Sequence, residues 1–230
     1  MTKYKIGIVG SQGMVGKAVK KYFQNKPHYQ LFLYDIQGEG SIEEVNQADF
    51  IYICVPTPSC SDGSCDTGIV EEVIGQLKGN KTIIIKSTIL PRTTDKLQES
   101  YPQHKILFNP EFLTEITADQ DMAFPDRQIV GFTEKSYDVA MDIIQQLPLA
   151  PFTRIVPAKE AEMAKYFNNA WFAVKVVFAN QIYDICQKAG IDYESVRDLA
   201  SDDKRIGRTH LEVWHKGYRG DYPRVIPNTS

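Results

Sequence analysis

Three glycines spaced three residues apart, Gly10, Gly13 and Gly16, are the first residues of this chain whose pattern implies chemistry. They follow a short apolar run, Ile6, Ile8 and Val9, and lead into Met14, Val15, Ala18, Val19 and Tyr22 at helical spacing. A strand that turns through glycines into a helix aims bare backbone N–H groups and the positive helix end at one spot. That suits a pyrophosphate. A Cβ at these positions would block the turn or the approach of the phosphates. The spacing is one residue longer than the usual dinucleotide pattern. Asp35 ends the next apolar run, residues 30–35, nineteen residues after Gly16. A carboxylate there accepts hydrogen bonds from an adenosine ribose and repels a 2′-phosphate, so NAD is expected rather than NADP. Lys165 and Asn169 form a second pair, one turn apart on one helix face. Spacing alone reads Lys165 as a solvated charge.

The elements that must position these residues alternate regularly. Strands are expected at residues 48–55, 82–86, 105–108 and 128–131, with an added edge strand at 152–156. Helices are expected at 41–47, 69–77, 93–101 and 137–147. Apolar strands without period two, alternating with helices, argue for an α/β fold with a doubly wound parallel Rossmann sheet. Ligands in such sheets lie beyond the strand C-termini. Gly10, Gly13, Gly16, Asp35, Thr57, Thr88 and Glu111 all fall there. Residues 158–189 then step by three or four through Ala164, Phe167, Trp171, Val174, Phe178, Ile182 and Ile185. About thirty residues is long for a globular helix and suggests a domain junction or a dimer interface. Glu160 and Glu162 suit its positive start, and Gly190 is a natural cap. A short helix capped by Asp192 follows, and from Ser201 the chain is polar and irregular. The expected division is a Rossmann domain over 1–157 and a long helix with an incomplete catalytic segment over 158–230.

Net charge is −3 with no basic cluster, which argues against nucleic acid. No apolar stretch reaches membrane-spanning length and the N-terminus is not signal-like, so the expected place is the cytoplasm. Cys54, Cys60, Cys65 and Cys186 fit neither a disulfide scaffold nor a zinc ribbon, and no metal is expected. The long helix carries more large apolar surface than a small sheet can cover, which favours a homodimer.

With these pieces placed, the chain resembles the NAD-dependent nucleotide-sugar 6-dehydrogenases, the UDP-glucose and GDP-mannose dehydrogenase family. The marks are Cys54-Val-Pro-Thr-Pro58 with Asp62-Gly63 and Asp66, Lys86-Ser-Thr88, and Asn109-Pro-Glu-Phe-Leu-Thr-Glu115. Pro125-Asp-Arg127 with Gly131, the helix motif from Ala161 through Lys165 to Asn169, and Arg205-Ile-Gly207 complete them. The resemblance implies that Val15, Asp35, Thr57, Thr88 and Glu115 contact NAD. It places Glu111, Phe112, Leu113, Thr114 and Glu115 along the sugar, and Lys165 and Asn169 at its C6. Lys165 and Asn169 would stabilise an oxyanion, while Thr88 and Glu111 would hold and deprotonate water. UDP-glucose is the substrate the resemblance favours, within polysaccharide biosynthesis.

Two departures stand out. Family members carry a cysteine nucleophile after the long helix, where this chain has Gly217-Tyr-Arg-Gly220-Asp-Tyr-Pro, with Asp221 near the nucleophile's place. The family also continues into a second Rossmann-like domain, so the chain is expected to be truncated or degenerate. A β-hydroxyacid dehydrogenase, which also places Lys-x-x-x-Asn on a long helix, and a non-catalytic NAD-binding or dimerisation module remain as alternatives.

Overall fold

The computed structural model describes residues 4–114, 116–215 and 218–220. Its sheet holds β1 (Tyr4–Val9), β2 (Tyr29–Asp35), β3 (Glu39–Gly40), β4 (Phe50–Ile53), β5 (Thr82–Ile85), β6 (Lys105–Phe108), β7 (Arg127–Phe132) and β8 (Phe152–Pro157). The strand order is β3-β2-β1-β4-β5-β6-β7-β8. The helices around it are α1 (Met14–Gln24), α2 (Ile42–Val45), α3 (Gly68–Gln76), α4 (Thr93–Ser100), α5 (Ala118–Ala123) and α6 (Ala140–Gln146). Then come α7 (Ala158–Ala189) and α8 (Tyr193–Ser201). The α/β Rossmann architecture and the long helix are as expected from the sequence.

The sheet is not wholly parallel. β7 runs antiparallel to β6, and β3 runs antiparallel to β2. An apolar strand reads the same in either direction, so the sequence does not betray this. The connection explains it: residues 109–126, including the unforeseen helix α5, whose Met122 packs into the apolar layer of Ile84 and Leu107, bring the chain to the start of β7 beyond the end of β6. A ligand-facing loop is thereby kept at the C-terminal edge of the parallel strands.

Side chains alternate across the central strands into two apolar layers. Ile51, Ile53, Ile83, Ile85, Ile106 and Phe108 face one side, while Tyr52, Ile84 and Leu107 face the other. Both faces are covered, which is why these runs show no polar alternation.

The chain divides into two compact units, one ending at Lys165 and the next starting at Tyr166. The first two turns of α7 belong to the sheet unit. Ala158 and Ala161 are buried in its core cluster. Gly131 makes that approach possible, since a Cβ on it would lie 2.8 Å from Ala158 Cα and 2.9 Å from Ala161 Cβ. In the second unit, Ala179, Cys186, Tyr193, Leu211 and Val213 form a small core between α7, α8 and the segment that follows. A short antiparallel pair, β9 (Trp214–His215) with β10 (Tyr218–Arg219), lies within the stretch the sequence leaves irregular.

Replacing Gly131 by Val forces backbone and helix apart. The expected cost is about 1–3 kcal/mol, an overpacking penalty, read as a lower urea midpoint, and an unchanged midpoint would contradict the packing described here.

Candidate active site at the strand ends

The glycine turn is built by close approach. Gly10 has φ +81°, and a Cβ there would sit 2.5 Å from the Cys54 carbonyl oxygen. At Gly16 a Cβ would lie 1.9 Å from the Gly10 carbonyl oxygen, so helix and turn touch backbone to backbone. Helix α1 starts after Gly13, which offers no side chain as a cap, and its first turn holds no acid. The N–H groups and positive end are therefore left for an outside anion. Val15 is buried beneath this turn.

Asp35 is buried at the end of β2. Its Oδ2 accepts from the Gln12 N–H at 2.9 Å and its Oδ1 from the Gln37 N–H at 2.9 Å. Each oxygen keeps a lone pair for a ribose hydroxyl. The next two loops are tied to each other: the Thr57 hydroxyl donates to the Thr88 carbonyl at 2.7 Å, and the Ser87 hydroxyl to that of Val55 at 2.6 Å. A glycine cradle, an uncapped helix start and a held carboxylate fit a dinucleotide such as NAD.

Lys165 is not a solvated charge. It is buried, and its ammonium donates to the Glu111 carbonyl at 2.6 Å and to Glu111 Oε1 at 2.9 Å. Glu111 is buried as well, and its Oε2 accepts the Leu113 N–H at 2.7 Å. One helix turn and one loop are thus locked by a single cation, with one ammonium hydrogen still uncommitted to Glu111. Beside them Lys86 is buried at the end of β5 and donates to Asn109 Oδ1 at 2.7 Å. Burial lowers its pKa, while the neighbouring Cys54 and Glu111 pull it back up. Phe112 carries the Arg127 guanidinium over its ring at 3.8 Å. A cavity of about 420 Å³ opens here, lined by Lys86, Glu111, Phe112, Leu113, Thr114 and Arg127 among others. Thr114 is held from below, its N–H donating to Asp121 Oδ2 at 2.8 Å.

The structure therefore brings Lys165, Glu111, Phe112, Leu113 and Thr114 to one place, and Gly10, Gly13, Gly16, Val15, Asp35, Thr57 and Thr88 to the strand ends. Asn169 lies one turn on along α7, in the second unit. Glu115 and Asp221 lie outside the described residues. Among the described residues, no group of three or more His, Cys, Asp or Glu is placed to hold a metal.

Glu162 differs from the expectation that it serves its own helix. It is fully buried and accepts the Arg92 N–H at 2.6 Å, the Thr94 N–H at 2.8 Å and the Thr94 hydroxyl at 2.6 Å. It caps α4 instead, because its position three residues before Lys165 puts it on the buried face of α7. Burial raises its pKa despite these donors. Arg92, at φ 76°, turns the chain so that both N–H groups meet the carboxylate. That Glu–x–x–Lys spacing is the signal in the sequence, and Lys86 after three isoleucine-rich core positions is a second one.

Residues 30–147 match the model of the UDP-glucose/GDP-mannose dehydrogenase family, NAD binding domain, and residues 159–218 match the central domain of the same family. The glycine turn lies just before the first matched span. UDP-glucose 6-dehydrogenase of Haloferax volcanii is 33% identical over 200 residues, covering 76% of this chain and 46% of that protein. GDP-mannose 6-dehydrogenase of Pseudomonas aeruginosa is 33% identical over 180 residues, covering 70% and 41%. The chain spans about half the length of the curated relatives it matches. The solved UDP-glucose dehydrogenase of Pyrobaculum islandicum superposes with a TM-score of 0.77 at 25% identity, over 91% of this chain and 59% of that one. With the NAD-binding and central spans matched in order along one chain, this protein belongs to the UDP-glucose/GDP-mannose dehydrogenase family.

Proposed function

We propose that the chain binds NAD and oxidises the C6 alcohol of a nucleotide sugar, UDP-glucose being the favoured substrate. The observation that carries this reading is the buried Lys165 ammonium clamped to Glu111, a residue that lines a cavity at the strand ends. Gly10, Gly13, Val15, Gly16, Asp35, Thr57, Thr88 and Glu115 would hold the cofactor. Residues 1–157 would serve as the NAD-binding domain, and 158–230 as the central segment. When bound, NAD accepts the hydride that leaves C6. Glu111 takes the hydroxyl proton, directly or through one water near Thr88. The remaining Lys165 N–H, with the Asn169 amide, meets the oxygen as charge develops on it, an effect typically worth ~3–4 kcal/mol per donor. Phe112, Leu113 and Thr114 would line the sugar. Family membership disfavours the β-hydroxyacid reading.

Going on from aldehyde to acid needs a nucleophile that makes C6 tetrahedral. The thiols in these residues do not suit the task. Cys54 is buried and its pKa is pushed up to about 12. Cys186 is buried in the second unit. The Cys65 thiol points at the carbonyls of Thr57 and Thr88, and Cys60 is exposed in the same loop. Calorimetry should show NAD binding more tightly than NADP, with Asp35→Ala weakening NAD more than NADP. Incubation with NAD and UDP-glucose should not yield two NADH per uronate at an ordinary enzymatic rate. Tighter NADP binding, or that stoichiometry, contradicts this reading.

Glu111→Ala leaves the Lys165 ammonium buried without its partner and should cost about 3–5 kcal/mol. Thermal unfolding measures this, and Glu111→Gln, which keeps an acceptor, should fold better while losing activity. A fully stable Glu111→Ala would show the clamp to be dispensable.

We also propose a cytoplasmic homodimer packed through α7. Phe167, Trp171, Val174, Phe178 and Ile185 are exposed in the second unit, while the smaller Ala173, Val176 and Ala179 fill its core. An apolar groove of about 420 Å³ lined by Trp171, Phe178, Ile182, Val196 and Leu211 adjoins this face. Patches of this kind are rare on monomers. Sedimentation at micromolar concentration should give a dimer, and Trp171→Glu should dissociate it; a monomeric parent chain rules the proposal out. Among the described residues no helix is long and apolar enough to cross a membrane.

A further inference from the structure

A network at the ribose end of the cradle is not used by the chemistry above. Strand β3 has only two residues, yet it turns back along β2 and sets Glu39 opposite Asp35. Two glycines at positive φ allow that return, Gly38 at 99° and Gly40 at 62°. A Cβ on Gly40 would lie 2.0 Å from the Leu33 carbonyl oxygen. The Glu39 side chain reaches over to the glycine turn. Its Oε2 accepts the hydroxyl of fully buried Ser11 at 2.5 Å, and its Oε1 is paired with the Lys20 ammonium of α1. Lys20 first and Ser11 second hold the Glu39 carboxyl below its ordinary range. Ser11 and Gln12 are therefore each gripped by an acid, Glu39 and Asp35 in turn.

We propose that Glu39, acting on Lys20, is a second determinant of dinucleotide choice beside Asp35. The inference rests on reading residues 10–35 as the NAD site. A 2′-phosphate would extend from the ribose at Asp35 into the space that Glu39 borders. There it meets a second carboxylate, and the Lys20 ammonium is already committed to that carboxylate. Removing the Glu39 charge takes away a repulsion and also releases Lys20, whose three rotatable donors suit a phosphate. Both effects favour NADP. NAD has no group at that place, so its binding changes little.

Dissociation constants for NAD and NADP on the full chain, at one ionic strength, test this. Glu39→Gln keeps an acceptor for Ser11 and should tighten NADP about tenfold while moving NAD by no more than about threefold, since solvent and salt screen the bare Coulomb interaction. Adding Lys20→Met to Glu39→Gln should reduce the gain, leaving only the part that comes from the lost repulsion. Lys20→Met alone should leave NADP as weak as in the parent. A merely structural Glu39 would weaken both dinucleotides together and leave their ratio alone. An unchanged ratio in Glu39→Gln, or a gain that Lys20→Met does not diminish, overturns the proposal while the NAD site stands. A parent chain that binds neither dinucleotide overturns the site and this inference with it.

Discussion

A lysine ammonium cannot be buried without compensation, and that constraint sets much of this structure. Lys165 is met by both the carbonyl and the carboxylate of Glu111. Breaking a buried pair of this kind costs several kcal/mol because one charge is left unpaired. Meeting both oxygens demands that α7 and the loop after β6 be held in fixed relation. The alternating β/α pattern alone would tolerate a helix slid by a residue, but the ion pair would not.

Two neighbours provide that fixity by different physics. Gly131 removes the side chain that would keep α7 away from β7, so Ala158 and Ala161 pack against bare backbone. Glu162 fixes the helix rotationally, because its carboxylate is spent on three donors at the start of α4. Burying that carboxylate is itself unfavourable, as its raised pKa records. The donors offset the cost only in one geometry, which makes the contact specific as well as attractive. Steric absence and a polar hook thus act on the same two turns of helix.

Much of the fold was legible because burial on both sheet faces leaves continuous apolar runs between turn residues. The long helix reads to its last residue, since Gly190 and the periodic stripe bracket it. What stayed hidden depends on direction or on distant partners. The reversal of β7 is invisible because apolar runs carry no polarity. The hairpin at Glu39–Gly40 is too short to show a period. In the second unit the stripe of Phe167, Trp171, Val174 and Phe178 is exposed, while Ala173, Val176 and Ala179 face the core. Side-chain size alone would have assigned these faces the other way round.

The same contrast runs through the site. Gly10, Gly16 and Asp35 are readable because their roles are local: turn, close approach and strand end fall within thirty residues of one another. Lys165 and Glu111 are fifty-four residues apart, and only the packed helix makes them partners. On spacing alone a lysine on a helix is a solvated charge, and that is the better guess until its surroundings are known. Burial reverses it. Once the ammonium is enclosed, the loop carrying Glu111 must come to it. That loop also lines the cavity at the strand ends, so the interaction that satisfies a buried charge is also the one that shapes the site.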